Sequence, residues 1–238
     1  MNQQLVFDLP HRPALRRADF WVAESNKNAV ALIDKWPHWD DSIQAIIGPA
    51  ACGKSHLAAV WCMQSHALQV KAAELDENKL MHLMEQEALV IDALEDLQPQ
   101  NETVLFHLLN HAKQTGHFLL LCSRLPLGRL IVRLPDLQSR LVSILTVHMQ
   151  PPCDRLIAGV MVKLFNDRQI KIGDDVVKYL VARMERSFVS LNRLVADIDY
   201  ATLADKRPVT VPLASRIIEA HHKSIAQEAD APAPMPTK

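Results

Sequence analysis

The residues with the most definite chemical reading are Gly48-Pro49-Ala50-Ala51-Cys52-Gly53-Lys54-Ser55. They satisfy the spacing GxxxxGK[ST], in which a tight loop turns successive main-chain N–H groups onto one phosphate. Gly48 and Gly53 let the backbone approach closely, Lys54 sets a charge against the β- and γ-phosphates, and the Ser55 hydroxyl can ligate Mg²⁺. A helix starting at Lys54 adds its own N-terminal donors, so Gly48, Ala50, Ala51, Cys52, Gly53, Lys54, Ser55 and His56 are the candidate nucleotide contacts. Such a loop needs an acidic side chain at the end of another strand to complete the metal shell. Asp92, which closes the apolar run Ala88-Leu89-Val90-Ile91, is the candidate, and with Ser55 it forms the expected metal site. Many hydrolytic P-loop proteins carry a second acid immediately afterwards to orient water; here that residue is Ala93, and Glu95 and Asp96 come too late to share its direction. The loop therefore predicts binding of ATP or ADP with Mg²⁺ more strongly than rapid hydrolysis.

The segments that must position these residues alternate in type. Ile43–Ile47 reads as a strand running into the loop, and Lys54 to about His66 as the helix leaving it. Leu68–Ala72, Ala88–Asp92, Phe118–Cys122 and Ser143–His148 read as further strands, the buried ones apolar throughout as in a parallel sheet covered on both faces. Asn26 is placed to cap a helix that Pro37 stops, and residues 101–115 form an amphipathic helix ended by Gly116. After Pro152 the strands cease, and residues 153–167, 174–183, 187–204 and 210–223 read as helices. The expectation is an α/β fold, a five-stranded parallel P-loop core followed by a small all-helical domain. The divisions are an extended arm over 1–19, the nucleotide-binding domain over 20–151, the helical domain over 152–225 and a disordered Pro-rich tail over 226–238.

Composition narrows the function. The 238 residues are 49% hydrophobic with a net charge of −1, enough for a large core and too balanced for a broad basic nucleic-acid footprint. Only 6 glycines against 14 prolines argue against a turn-rich β-sandwich or barrel. No apolar run is long enough to span a membrane, no secretory leader is read, and Cys52, Cys62, Cys122 and Cys153 show no CxxC pairing, which points to a reducing cytoplasm. In the arm, Gln4-Leu5-Val6-Phe7-Asp8-Leu9 sets Leu5, Phe7 and Leu9 on one side of an extended strand beside a rim-bonding Gln4, a pattern suited either to a partner's apolar groove or to docking on the chain's own core.

Three further segments resemble one family. Leu134-Pro135-Asp136-Leu137-Gln138-Ser139-Arg140-Leu141 before the last strand, Phe20-Trp21-Val22-Ala23-Glu24-Ser25-Asn26, and Leu120-Leu121-Cys122-Ser123-Arg124-Leu125-Pro126 look like an AAA+ ATPase of the DnaA-related group, over about residues 4 to 223. The chain ends where DnaA's DNA-binding domain begins, as in the Hda family, regulators that inactivate the initiator DnaA. The resemblance implies that Val22 and Asn26 lie in the base-holding segment, that Ser123 ends the sensor I strand, and that Arg140 is an arginine finger presented to nucleotide on a neighbouring protomer. On the residues alone, Arg140 is equally a surface residue paired with Asp136 one helical turn earlier. The resemblance also makes Gln4–Leu9 a binding motif for the polymerase sliding clamp and DnaA a partner, with a homo-oligomer possible and no sequence-specific DNA contact or membrane expected. Two positions depart from the pattern. Ser123 stands where DnaA has an acid, and Val189 falls at the lid arginine of sensor II, for which Arg186 one turn upstream is the substitute. These departures favour a nucleotide kept as a structural clamp, ADP rather than one turned over. The competing reading is a stand-alone AAA+ ATPase that loads a helicase or assists transposition.

Overall fold

The computed structural model describes residues 21–205 and 208–229; the motif at Gln4–Leu9 and the Pro-rich tail lie outside the described residues. β1 (Ile43–Ile47), β2 (Leu68–Lys71), β3 (Ala88–Asp92), β4 (Phe118–Ser123) and β5 (Leu145–His148) form one parallel sheet in the order β2-β3-β4-β1-β5. The α/β expectation holds, and the central strands are apolar because both their faces are covered.

Successive residues of a strand point to opposite faces, so the sheet divides its side chains between two cores. On one face Ile46, Val90, Leu120 and Cys122 pack against α1 (Lys27–Lys35) and α2 (Lys54–Ser65). On the other, Ala45, Ile47, Leu89, Ile91, Leu119 and Leu121 pack against α3 (Leu80–Met84), α4 (Glu102–Thr115) and α5 (Pro135–Ser143). A third core belongs to the C-terminal helices α6 (Asp154–Asp167), α7 (Asp174–Val181), α8 (Phe188–Asp205) and α9 (Val211–Ala229), where Ile157, Met161, Phe165, Leu191, Val195 and Ile198 meet. Among the described residues no helix is long and apolar enough to cross a membrane.

Three local expectations are corrected. Asn26 does not cap α1 with its side chain; its Oδ1 accepts from Ala23 N (2.8 Å) and its Nδ2 donates to Trp21 O (2.9 Å), so the amide closes the preceding turn instead. The last strand begins at Leu145 and not Ser143, because α5 extends through Ser143 before the chain straightens. The short helix α3 was not expected from sequence; Leu83 is its buried residue, as Leu137 and Leu141 are those of α5.

Candidate functional site

The phosphate-binding motif sits on the central strand. Gly48 N–H donates to Ser123 O (3.1 Å) at the end of β4, and Met149 N–H donates to Ile47 O (2.7 Å) just past β5, so the loop leaves the sheet between its two neighbours. Close packing explains the first glycine: a Cβ on Gly48 would lie 2.6 Å from Met149 O and 2.9 Å from Cys52 Sγ. Left-handed residues at Ala51 (φ 56°) and Gly53 (φ 104°) flank Cys52 and fold the loop over the start of α2. That conformation gathers main-chain N–H groups on one concave side. The first-turn N–H groups of Lys54 and Ser55 have no acceptor among the described residues, as at the start of any helix that keeps them for a ligand.

Lys54 is buried, with two of its three ammonium donors held by Gly48 O (2.7 Å) and Pro49 O (2.8 Å). The charge is thereby stretched across the loop instead of swinging in solvent. Ala50, Ser55 and His56 are exposed at the mouth, while Cys52 is buried beneath it.

Asp92 follows Ala88 and Val90 on the face that carries α2. Its Oδ1 accepts from Ala93 N (2.8 Å) and its Oδ2 from Gln69 Nε2 (3.2 Å), which fixes the carboxylate's direction. Burial, followed by the Asp92 charge, pushes the Cys122 thiol far up, with Lys54 opposing; the thiol thus lies within electrostatic reach of both. Burial likewise pushes Cys62 up to about 11, so both thiols stay protonated and act as apolar packing at neutral pH. Glu95 and Asp96 are both engaged by Arg124. Arg124 N–H donates to Glu95 Oε2 (2.8 Å), and its guanidinium pairs with Glu95 and with Asp96 (3.2 Å). Ser123 is buried, and its hydroxyl is spent on its own turn, donating to Leu125 O (2.8 Å). It reaches the loop through its main-chain carbonyl alone among the described contacts.

Two contacts that the sequence did not announce bring the helical domain onto the loop. Phe188 N–H donates to Ala51 O (3.2 Å), and the Phe188 ring packs over Gly53, 3.3 Å from where a Cβ would stand. Ser187 caps α8, its Oγ accepting from Ser190 N (3.0 Å). The expected sensor residues fare differently: Val189 is exposed, and Arg186 makes a two-pronged pair with Asp154 (2.7 and 3.0 Å) at the start of α6. Both partners of that pair are well exposed, so it is worth at most ~1 kcal/mol and does not lock Arg186 in place. On the other side Val22 is exposed, and Trp21 lies over α6 so closely that a Cβ on Gly159 would stand 2.6 Å from its ring. An aromatic at the first residue of a helical-domain helix was the available signal for Phe188; Trp21 was quoted in the sequence motif but its partner could not be read from it.

Arg140 stands apart from all this. Its helix α5 buries Leu137 and Leu141 in the sheet face opposite to the one carrying α2, and Arg140 itself is exposed. The ion pair with Asp136 is not formed, and no side chain among the described residues engages the guanidinium.

A parallel sheet in this order, a phosphate loop on its central strand and a helical lid over the loop define an AAA+ P-loop module. Residues 160–218 match the family model described as Hda, lid domain. The chain is similar in fold to domain III of the Thermotoga maritima replication initiation protein DnaA, with a TM-score of 0.76 at 18% identity over 89% of this chain and 98% of that one. It also resembles the AMPPCP-bound DnaA of Aquifex aeolicus (TM-score 0.68, 16% identity, 79% of this chain and 65% of that one). The Holliday junction branch migration motor RuvB of Thermotoga maritima shares the fold (TM-score 0.66, 15% identity, 84% and 70%). An uncharacterized protein of Haemophilus influenzae is 27% identical over 73% of this chain and 80% of its own length. The match to the Hda lid thus covers residues 160–218, and the fold over most of the chain is the one shared with domain III of DnaA.

Proposed function

We propose that the protein is a regulator of replication initiation that holds an adenine nucleotide and, through Arg140, promotes hydrolysis of ATP bound to DnaA. The nucleotide's phosphates would be held by the N–H groups of the 48–55 loop and by Lys54, with Ser55 and Asp92 as ligands of Mg²⁺. When bound, the ion would supply, together with Lys54, charge neutralisation on the phosphates. The chain's own residues do the rest: Gly48 and Gly53 admit the backbone, Phe188 and Met149 pack beside Gly53, and Trp21 abuts the lid at Gly159. Ala93 in place of an acid directly after Asp92, and the engagement of Glu95 by Arg124, support retention over turnover. AMPPCP bound to the DnaA of Aquifex aeolicus supports an adenine nucleotide here.

The observation that carries the reading is the placement of Arg140: exposed, without a side-chain partner among the described residues, and on the sheet face opposite its own phosphate loop's helix. A guanidinium so placed is suited to a neighbour's γ-phosphate charge, where an arginine supplied in trans is worth about 10³–10⁵ in rate. The arm residues Gln4, Leu5, Phe7 and Leu9 would bring the protein to the polymerase sliding clamp, and a homo-oligomer would use the same Arg140 surface. The test measures hydrolysis of ATP preloaded on DnaA, with clamp on DNA, on adding the intact protein, Arg140→Ala, or a chain lacking residues 1–9. Arg140→Ala is expected to abolish stimulation with its own nucleotide retained, and the truncation to lose clamp dependence. Full stimulation by Arg140→Ala would refute the finger, and intact clamp capture by the truncated chain would refute the arm.

A further inference from the structure

The most unusual buried polar group outside the phosphate site is Glu102. It is 4% exposed at the first residue of α4, and its carboxylate makes no use of a side-chain partner. Instead Arg133 N–H donates to both oxygens (3.0 and 2.9 Å) and Leu134 N–H donates to Oε2 (2.8 Å). Those two amides belong to the residues immediately before α5, whose first residue, Pro135, has no N–H of its own.

A buried carboxylate is costly unless its lone pairs are filled, and a single neutral acceptor would suffice to satisfy one loop N–H. A carboxylate gripping two successive amides does more, because it fixes the direction in which the chain enters the next helix. α5 is only nine residues long, anchored elsewhere by Leu137 and Leu141. Its N-terminal end is therefore set by Glu102, and Arg140 lies less than two turns further on. Glu102 is also where the chain arrives after leaving Asp92 through two short 3-10 turns (Leu94–Asp96 and Pro99–Asn101). One residue thus joins the segment that leaves the metal-site strand to the helix that displays the arginine.

We propose that Glu102 is the positioning residue for Arg140, holding α5 so that the guanidinium meets the triphosphate of a neighbouring protomer. The assignment rests on the reading of Arg140 as a finger. Glu102→Gln keeps size and one acceptor but turns an NH₂ toward the amides of Arg133 and Leu134. It is expected to lower stimulated turnover of the partner ATPase by about tenfold to a hundredfold, the scale of a misplaced catalytic group. The concentration of this protein giving half-maximal stimulation and its own nucleotide affinity are expected to stay unchanged, which a general loss of folding would not produce. In the Arg140→Ala background Glu102→Gln is expected to add nothing. Glu102→Asp, which keeps the charge but withdraws it by one methylene, gives the same measurement should Glu102→Gln not fold. Wild-type turnover in Glu102→Gln would overturn the positioning role and leave the finger standing. No effect of Arg140→Ala by itself would instead remove the finger reading, and this proposal with it.

Discussion

Glu95 lies three residues beyond Asp92, and its carboxylate is held by Arg124. Its carboxyl titrates below the usual glutamate range: burial opposes ionisation, and the N–H and guanidinium of Arg124 outweigh it. A carboxyl depressed in the folded state contributes stability that is complete above the unfolded value of about 4.5 and is lost as pH falls through the folded value. Glu95→Gln is therefore expected to be less stable than the parent at neutral pH and to lose less stability on acidification below about pH 4.5. Urea unfolding at a series of pH values checks this, and parallel acid limbs for the two proteins would show that the pair carries no such stability. The sequence placed the loop residues and Asp92 correctly on their elements, because their spacing is itself the chemistry. It could not supply the Glu95–Arg124 pair, whose members are 29 residues apart and meet only through β3 and β4. Nor could it show that Arg186 pairs with Asp154, or that the Ser123 hydroxyl is used by its own turn.

At the scale of elements, strands and long helices were legible because they are buried on both faces or amphipathic over several turns. The short helix α3 was not, since five residues make little more than one turn and show no period. Gly159 in the middle of α6 had no sequence rationale either, because glycine there lowers helix stability by roughly 0.5–1 kcal/mol against alanine. The structure supplies one: Trp21 occupies the space of a side chain. Gly159→Ala is accordingly expected to gain helix stability but to push the half-exposed Trp21 off α6. In a Trp21→Ala background the same change should stabilise by roughly 0.5–1 kcal/mol, and in the parent by measurably less. Thermal unfolding of the four proteins gives the comparison, and an equal gain in both backgrounds would mean that the ring does not press on Gly159.

The whole molecule is two packed bodies joined at the site. The sheet cores and the lid core share no member, and Phe188 and Trp21 are contacts that cross between them. Phe188→Ala keeps the Ala51 hydrogen bond, which uses the main chain, but removes the ring from Gly53. Amide exchange in α6–α8 is expected to quicken by about tenfold or more, as the lid opens more often, while the central strands β1 and β4 keep their protection. Unchanged lid exchange would mean that the lid is held by something other than that ring. The division into sheet and lid was readable from the loss of strand pattern after Pro152, whereas the contacts across it were not, being single residues with no periodicity to mark them. Parallel pairing has a further consequence, for the order of events in folding. β1 is made early, but its partners come much later: Ile43 lies beside Leu119 and Gln44 beside Leu145. Closing such distant pairs is slow, and until Met149 arrives nothing walls the far side of Gly48. The phosphate loop is thus among the earliest parts of the core to be synthesised and among the last to be set in place.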